Sequence, residues 1–173
     1  MNRVLASAAL LAVVALTSSA CRRSGPDWRI TQLYGGPGSV QALTDPTRVD
    51  AFRVSPKAHG AEPGIAYVGI HAVTAGPIPV PKDVAVQLST LLSDAATYDW
   101  RRTKSDPYLP TIGLRFTRDV SRVDIALDFT SNMLTIHRHG KRISVEDFDD
   151  ARPQLLTIVK ALFPDDEDVQ AID

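Results

Sequence analysis

TIGLRFTRDVSRVDIALDFTSNMLTIHRHGKRIS, Thr111 to Ser144, decides the fold. Apolar and polar residues alternate through it with a period of two, the signature of strands with one packed face and one wet face. Ile112, Leu114 and Phe116 share one side of a first strand, and Gly113, Arg115 and Thr117 the other. Val123, Ile125, Leu127 and Phe129 oppose Asp124, Ala126 and Asp128 in a second strand. Leu134 and Ile136 oppose Thr135 and His137 in a third. Keeping the apolar faces together sets Phe129 opposite Leu134, Leu127 opposite Ile136, Ile143 opposite Ile136 and Asp124 opposite His139. A slip of one residue would turn a strand inside out. The first turn is either Asp119-Val120 or Asp119 to Arg122, since both keep the apolar residues in phase.

An apolar sheet face needs a cover, and the flanking sequence supplies two helical stripes. Val84, Leu88, Leu91, Leu92 and Ala95 recur at helical spacing after prolines suited to a helix start. Leu155, Leu156, Ile158, Val159, Leu162 and Phe163 do so in a second helix over Ala151–Phe163, with Asp150 as its cap and Pro164 as its stop. Upstream, Trp28 to Tyr34 reads as a short strand and Ser39 to Leu43 as one helical turn. Arg48 to Val54 and Ile65 to Val73 read as further strands, and Gly76 to Pro81 as an extended connector. The expectation is one α+β domain over residues 39–173. It has an antiparallel sheet of four to six strands and two main helices on one face. The polar face (Arg115, Asp124, Asp128, Thr135, His137) is left open or meets a partner.

The N-terminus reads as an export signal over residues 1–20. It has a charged start at Arg3, an apolar run from Val4 to Leu16 and a small-residue exit ending at Ala20. The run is shorter than the ~20 residues of a membrane-spanning helix. Cys21 is the only cysteine and follows the exit directly, the position of the acylated cysteine in a bacterial lipoprotein; an ordinary cleavage at the same bond is the alternative. The lipid would hold the protein in the cell envelope; Arg22, where an aspartate is absent, resembles the bacterial sorting pattern for the outer membrane, and a periplasmic or secreted protein is the alternative. Residues 21–38, rich in Gly, Pro and polar residues, read as a tether. A net charge of −1 argues against nucleic acid as a partner.

Chemistry is sparse. His137-x-His139 with Asp124 is the best start for a metal site, but Arg138, Lys141 and Arg142 crowd the same turn and repel a cation. No Gly-x-Ser-x-Gly element occurs. Asp124 and Asp128 stand about 13 Å apart along one strand, too far to cooperate in glycoside hydrolysis. No catalytic residue or cofactor is expected. The candidate binding residues are Tyr98, Trp100, Arg101 and Arg102 in one loop, where aromatics accompany arginines, and Arg138, Lys141 and Arg142 in one turn. That basic turn also protects a sheet edge from pairing with other chains.

Arg48-Val49-Asp50-Ala51-Phe52, Gly113-Leu114-Arg115-Phe116 and the ending from Ala151-Arg152-Pro153 to Phe163-Pro164-Asp165-Asp166 resemble a family of uncharacterised small bacterial lipoproteins and secreted proteins. The likeness covers about half the chain beyond the signal, and its motifs are structural. It implies no transferable activity. Relatives often carry cysteines where this chain has Asp106-Pro107-Tyr108 and Leu127 to Ser131, which implies that a thiol or metal function of theirs is lacking here. The functional expectation is a non-catalytic, lipid-anchored envelope protein that binds another protein or an envelope polymer. The alternatives are an exported metal-binding protein or hydrolase using His137, His139 and an aspartate, and a small secreted inhibitor.

Overall fold

The computed structural model describes residues 27–58, 62–101 and 104–173. Its centre is an antiparallel sheet of seven strands, more than the four to six expected. They are β1 (Arg48–Ala58), β2 (Tyr67–Val68), β3 (His71–Pro79), β4 (Ile112–Arg118), β5 (Ser121–Asp128), β6 (Met133–Arg138) and β7 (Lys141–Asp147), in the order β2-β3-β1-β4-β5-β6-β7. One break raises the count, and one strand is longer than expected. The stretch expected as one strand over Ile65 to Val73 breaks at Gly69, whose φ of +61° turns it into the β2–β3 hairpin. The proline-rich connector is itself the end of β3, pairing Asp50 with Pro79 and Ala51 with Ile78. Prolines are tolerated there because β2 reaches only His71 and Ala72, so the rest of β3 is a free edge.

The meander keeps its predicted phase but not all its pairings. Arg118 pairs with Ser121, so the first turn is the two-residue Asp119-Val120 form. Leu127 lies opposite Leu134 and Ile125 opposite Ile136, two residues from the expected register. The cause is Asp128, which accepts hydrogen bonds from Thr130 N (2.8 Å) and Ser131 Oγ (2.7 Å) and so builds a four-residue loop over 129–132. As a result Asp124 faces His137, not His139. A bulge beside His137 moves Ser144 opposite Ile136 and leaves Ile143 part-exposed.

Four helices cover the apolar face: α1 (Trp28–Leu33), α2 (Pro37–Thr44), α3 (Lys82–Ser93) and α4 (Arg152–Leu162). A single turn, α5 (Glu167–Gln170), follows them. The two expected helices are α3 and α4; α2, expected as one turn, lies over β4 and β5 and packs on α3. The expected strand Trp28–Tyr34 is a helix. Asp27 accepts the N–H of Arg29 (2.9 Å) as a cap, and Ile30, Leu33 and Tyr34 bury one helical stripe. Of the tether expected over 21–38, the part from Trp28 onward is instead folded as α1 and the start of α2, and residues 21–26 lie outside the described residues. The Tyr34 hydroxyl lies 2.8 Å from that of Tyr98, and both reach the carbonyl of Leu92, tying α1 to α3. Inside, Ile30, Leu43, Leu88, Leu92, Leu155 and Val159 meet Phe116, Ile125, Leu127, Leu134 and Ile136. Among the described residues, no helix is long and apolar enough to cross a membrane.

Because Ile30 is fully buried, Ile30→Ala should lower the stability of the domain by about 2–5 kcal/mol. A position in a solvated tether would change it by no more than about 0.5 kcal/mol. Urea unfolding midpoints distinguish the two.

Candidate functional site

The sheet curls, and its β2–β3 hairpin folds back over the face that alternation marks as wet. Phe52, Val54 and Val68 form a second small core there. Asp124, Asp128, Thr135 and His137 are each almost completely buried, so the expected open polar face does not exist. Most of its polar atoms are paired within the chain. Arg115 holds Asp124 through Nε to Oδ1 (2.8 Å) and Nη2 to Oδ2 (3.1 Å), and also donates to the Tyr67 carbonyl. Asp124 Oδ2 accepts from Arg122 (2.9 Å) and from the backbone N–H of Gly69 (2.9 Å). One carboxylate thus joins β4, β5 and the hairpin loop. Asp128 is likewise structural, accepting from Leu109 N at 2.7 Å.

Beside this clamp lies a chain of side chains. His137 Nε2 is 2.8 Å from Thr135 Oγ1, which is 2.7 Å from the Tyr108 hydroxyl, which donates to the Ala126 carbonyl (2.8 Å). One direction satisfies every link: His137 Nε2–H to Thr135, Thr135 to Tyr108, Tyr108 to the carbonyl. His137 Nδ1 then carries a lone pair, and it has no hydrogen-bond partner among the described residues. The His71 ring stands edge-on to those of His137 (5.9 Å) and Tyr108 (6.0 Å). Burial, with help from His71 and Arg142, pushes the His137 imidazole down to about 4 against the pull of Asp124. Burial pushes the Tyr108 phenol up. The cluster is a closed packing layer.

His139 sits in the exposed β6–β7 turn with φ +51°, while His137 is inside. Among the described residues no three His, Cys, Asp or Glu side chains group closely enough to hold a metal ion. Tyr98 is a core residue and Trp100 is half-buried against it, ring centres 5.3 Å apart, so they do not form a projecting aromatic loop. Arg101 is exposed, as are Arg138, Lys141 and Arg142. Cys21, Arg102 and His59 lie outside the described residues.

An open groove of about 430 Å³ runs between α1 and β7. Trp28, Trp100, Ile143 and Glu146 line it, and the Arg29 guanidinium stands 5.0 Å over the Trp100 ring. Trp28, 70% exposed, is the feature that sequence reading missed; as a strand residue it had no assigned surface. Ser144 Oγ donates to the Leu33 carbonyl (2.7 Å) and Arg138 to that of Gly35 (3.3 Å). The helix thus runs alongside β7, with Trp28 by Glu146 and its other end by the basic turn. Burial, then Asp147 and Asp99, raise the Glu146 carboxyl above its usual range. No family model, curated protein or solved structure matches this chain.

A Cβ added at Gly69 would stand 2.4 Å from the His137 ring, at a backbone φ of +61°. Gly69→Ala should therefore cost roughly 2–4 kcal/mol, from left-handed strain plus overpacking, read as a lowered urea midpoint.

His137 also gives stability a pH dependence. Its folded-state value of about 4 lies below the ordinary 6.5, so the unfolded chain takes up the proton first as pH falls. This contribution is complete above pH 6.5 and is lost from there down to about 4, amounting to roughly 3 kcal/mol. Urea midpoints measured between pH 7 and 4.5 should fall for the native chain and fall less for His137→Gln.

Proposed function

We propose that the protein is a non-catalytic, lipid-anchored protein of the bacterial cell envelope, acting as a binding module. We place it with the small bacterial lipoproteins that its sequence resembles. The observation that carries the reading is the contrast between the two sides of the sheet. The face rich in titratable groups is sealed by the β2–β3 hairpin, with most of its polar atoms paired inside the chain. Catalysis at His137 would require opening that layer. Along the edge strand β7, by contrast, the surface is open. There it offers the aromatic groove at one end and Arg138, Lys141 and Arg142 at the other. An exposed edge strand accepts an added strand through main-chain hydrogen bonds, and arginines beside it select acidic partners. The ligand class this favours is an extended acidic segment of an envelope protein; an anionic envelope polymer would use the basic turn alone.

Cys21 supplies the anchor: its thiol takes the lipid, and removal of residues 1–20 makes it the new N-terminus. Protein isolated gently from its own membranes should have the mass of residues 21–173 plus about three acyl chains. Cys21→Ser should abolish the added mass and release the protein from the membrane. An unlipidated mass for the native chain, with one zinc-sized adduct lost on His137→Ala, would replace this reading with metal chemistry.

A further inference from the structure

We infer that the α1 end of the groove, led by Trp28, rests on the bilayer that holds the lipid, so that the basic β6–β7 turn points away from it. The inference rests on the lipid anchor at Cys21 proposed above, and it adds the surface that meets the membrane. Only seven residue steps separate Cys21 from Trp28, a reach of at most about 25 Å even when fully extended. A domain of about 150 residues has a radius of gyration of about 15 Å and is wider than that reach. The anchor therefore brings the start of α1 to the bilayer before any other part of the fold.

The surface there suits a lipid–water interface. Trp28 is the first residue of α1 and projects a large amphipathic ring into solvent. Tryptophan is the side chain that gathers at the headgroup level of bilayers. The neighbouring charges do not oppose contact. Asp27 is held by Arg29, with Nη2 to Oδ2 at 2.7 Å, so its carboxylate is paired, and the Glu146 carboxyl in the groove wall is half-buried. β7 then leads away from this end. Its seven residues span about 20 Å at ~3.3 Å each. That distance carries Arg138 and Lys141 beyond the headgroup layer, where a partner in the aqueous space can reach them.

The test is quenching by brominated lipid. The full lipidated protein, purified from its own membranes, is placed in phosphatidylethanolamine–phosphatidylglycerol vesicles with or without bromine on the upper acyl carbons. The chain has two tryptophans, so the loss of emission in the native protein is compared with that in Trp28→Phe, an exposed substitution that leaves the core intact. Bromine should remove most of the Trp28 component, and Trp28→Phe should lose that sensitivity. A fluorophore on Lys141→Cys, a free thiol once Cys21 is acylated, should remain unquenched. Protein that floats with the vesicles but shows no Trp28 quenching, or shows quenching at position 141, overturns the orientation while leaving the anchor standing. Protein with no acyl mass that does not float overturns the anchor and this inference together.

Discussion

The carboxylate of Asp124 holds the sheet closed upon itself. It is 2% exposed and accepts from Arg115 on the adjoining β4, from Arg122 on its own strand and from the Gly69 N–H on the hairpin loop. Isolated, such a buried charge would cost several kcal/mol in desolvation. Here it is bidentate to Arg115 and additionally bonded by backbone, so its lone pairs are met. The arrangement depends on position 69 having no side chain, because the loop must lie directly on the His137 ring to bring its N–H within reach. Once the loop is seated, Val68 reaches Phe52 and Val54, and the second core forms. β5 is consequently buried on both faces: Val123, Ile125 and Leu127 against the helices, Asp124 under the hairpin loop, and Asp128 beneath the segment that holds Leu109.

That double burial explains what the sequence could and could not disclose. Alternation identified the meander and its phase because apolar residues on one face have no other use for a period of two. The same alternation assigned the polar residues to solvent, and this failed. A buried aspartate with an arginine opposite and a solvated aspartate are identical in one dimension. What distinguishes them is Gly69, fifty-five positions upstream, whose N–H completes the set. The histidines misled for a related reason. His137 and His139 share a strand face only while the strand continues, and His139 already belongs to the turn, with φ +51°.

The start of the domain was misread through a competition between two periods. Trp28, Ile30, Gln32 and Tyr34 alternate well enough to suggest a strand. Ile30, Leu33 and Tyr34 fit a helix equally, and Asp27 breaks the tie by capping the first turn. Short segments of this kind are decided by their tertiary partners. In this chain the partner is Tyr98, sixty-four residues away, whose hydroxyl meets that of Tyr34. The same pairing removes Tyr98 from any binding loop and turns Trp100 inward against it. The aromatic residues proposed for recognition thus serve to fasten α1. The exposed aromatic surface is Trp28, which lines one groove together with the half-buried Trp100.

These two closures share one consequence for function. The curled sheet uses up the polar face, and the tyrosine pair uses up Tyr98, so of that loop Trp100 in the groove wall and the exposed Arg101 are left at the surface among the described residues. The open β7 edge and the groove beside α1 lie at the opposite end of the strand order from the hairpin. An edge strand of seven residues flanked by part-exposed Ile143 and Val145 is an aggregation liability unless it is protected or occupied. The bulge beside His137 and the cluster of Arg138, Lys141 and Arg142 protect one end by twist and charge. At the other end, Asp99 N donates to the Asp147 carbonyl and so shields the last position. Between them the strand stays accessible, and an anchor that fixes the orientation of the whole domain would limit which neighbours could approach it.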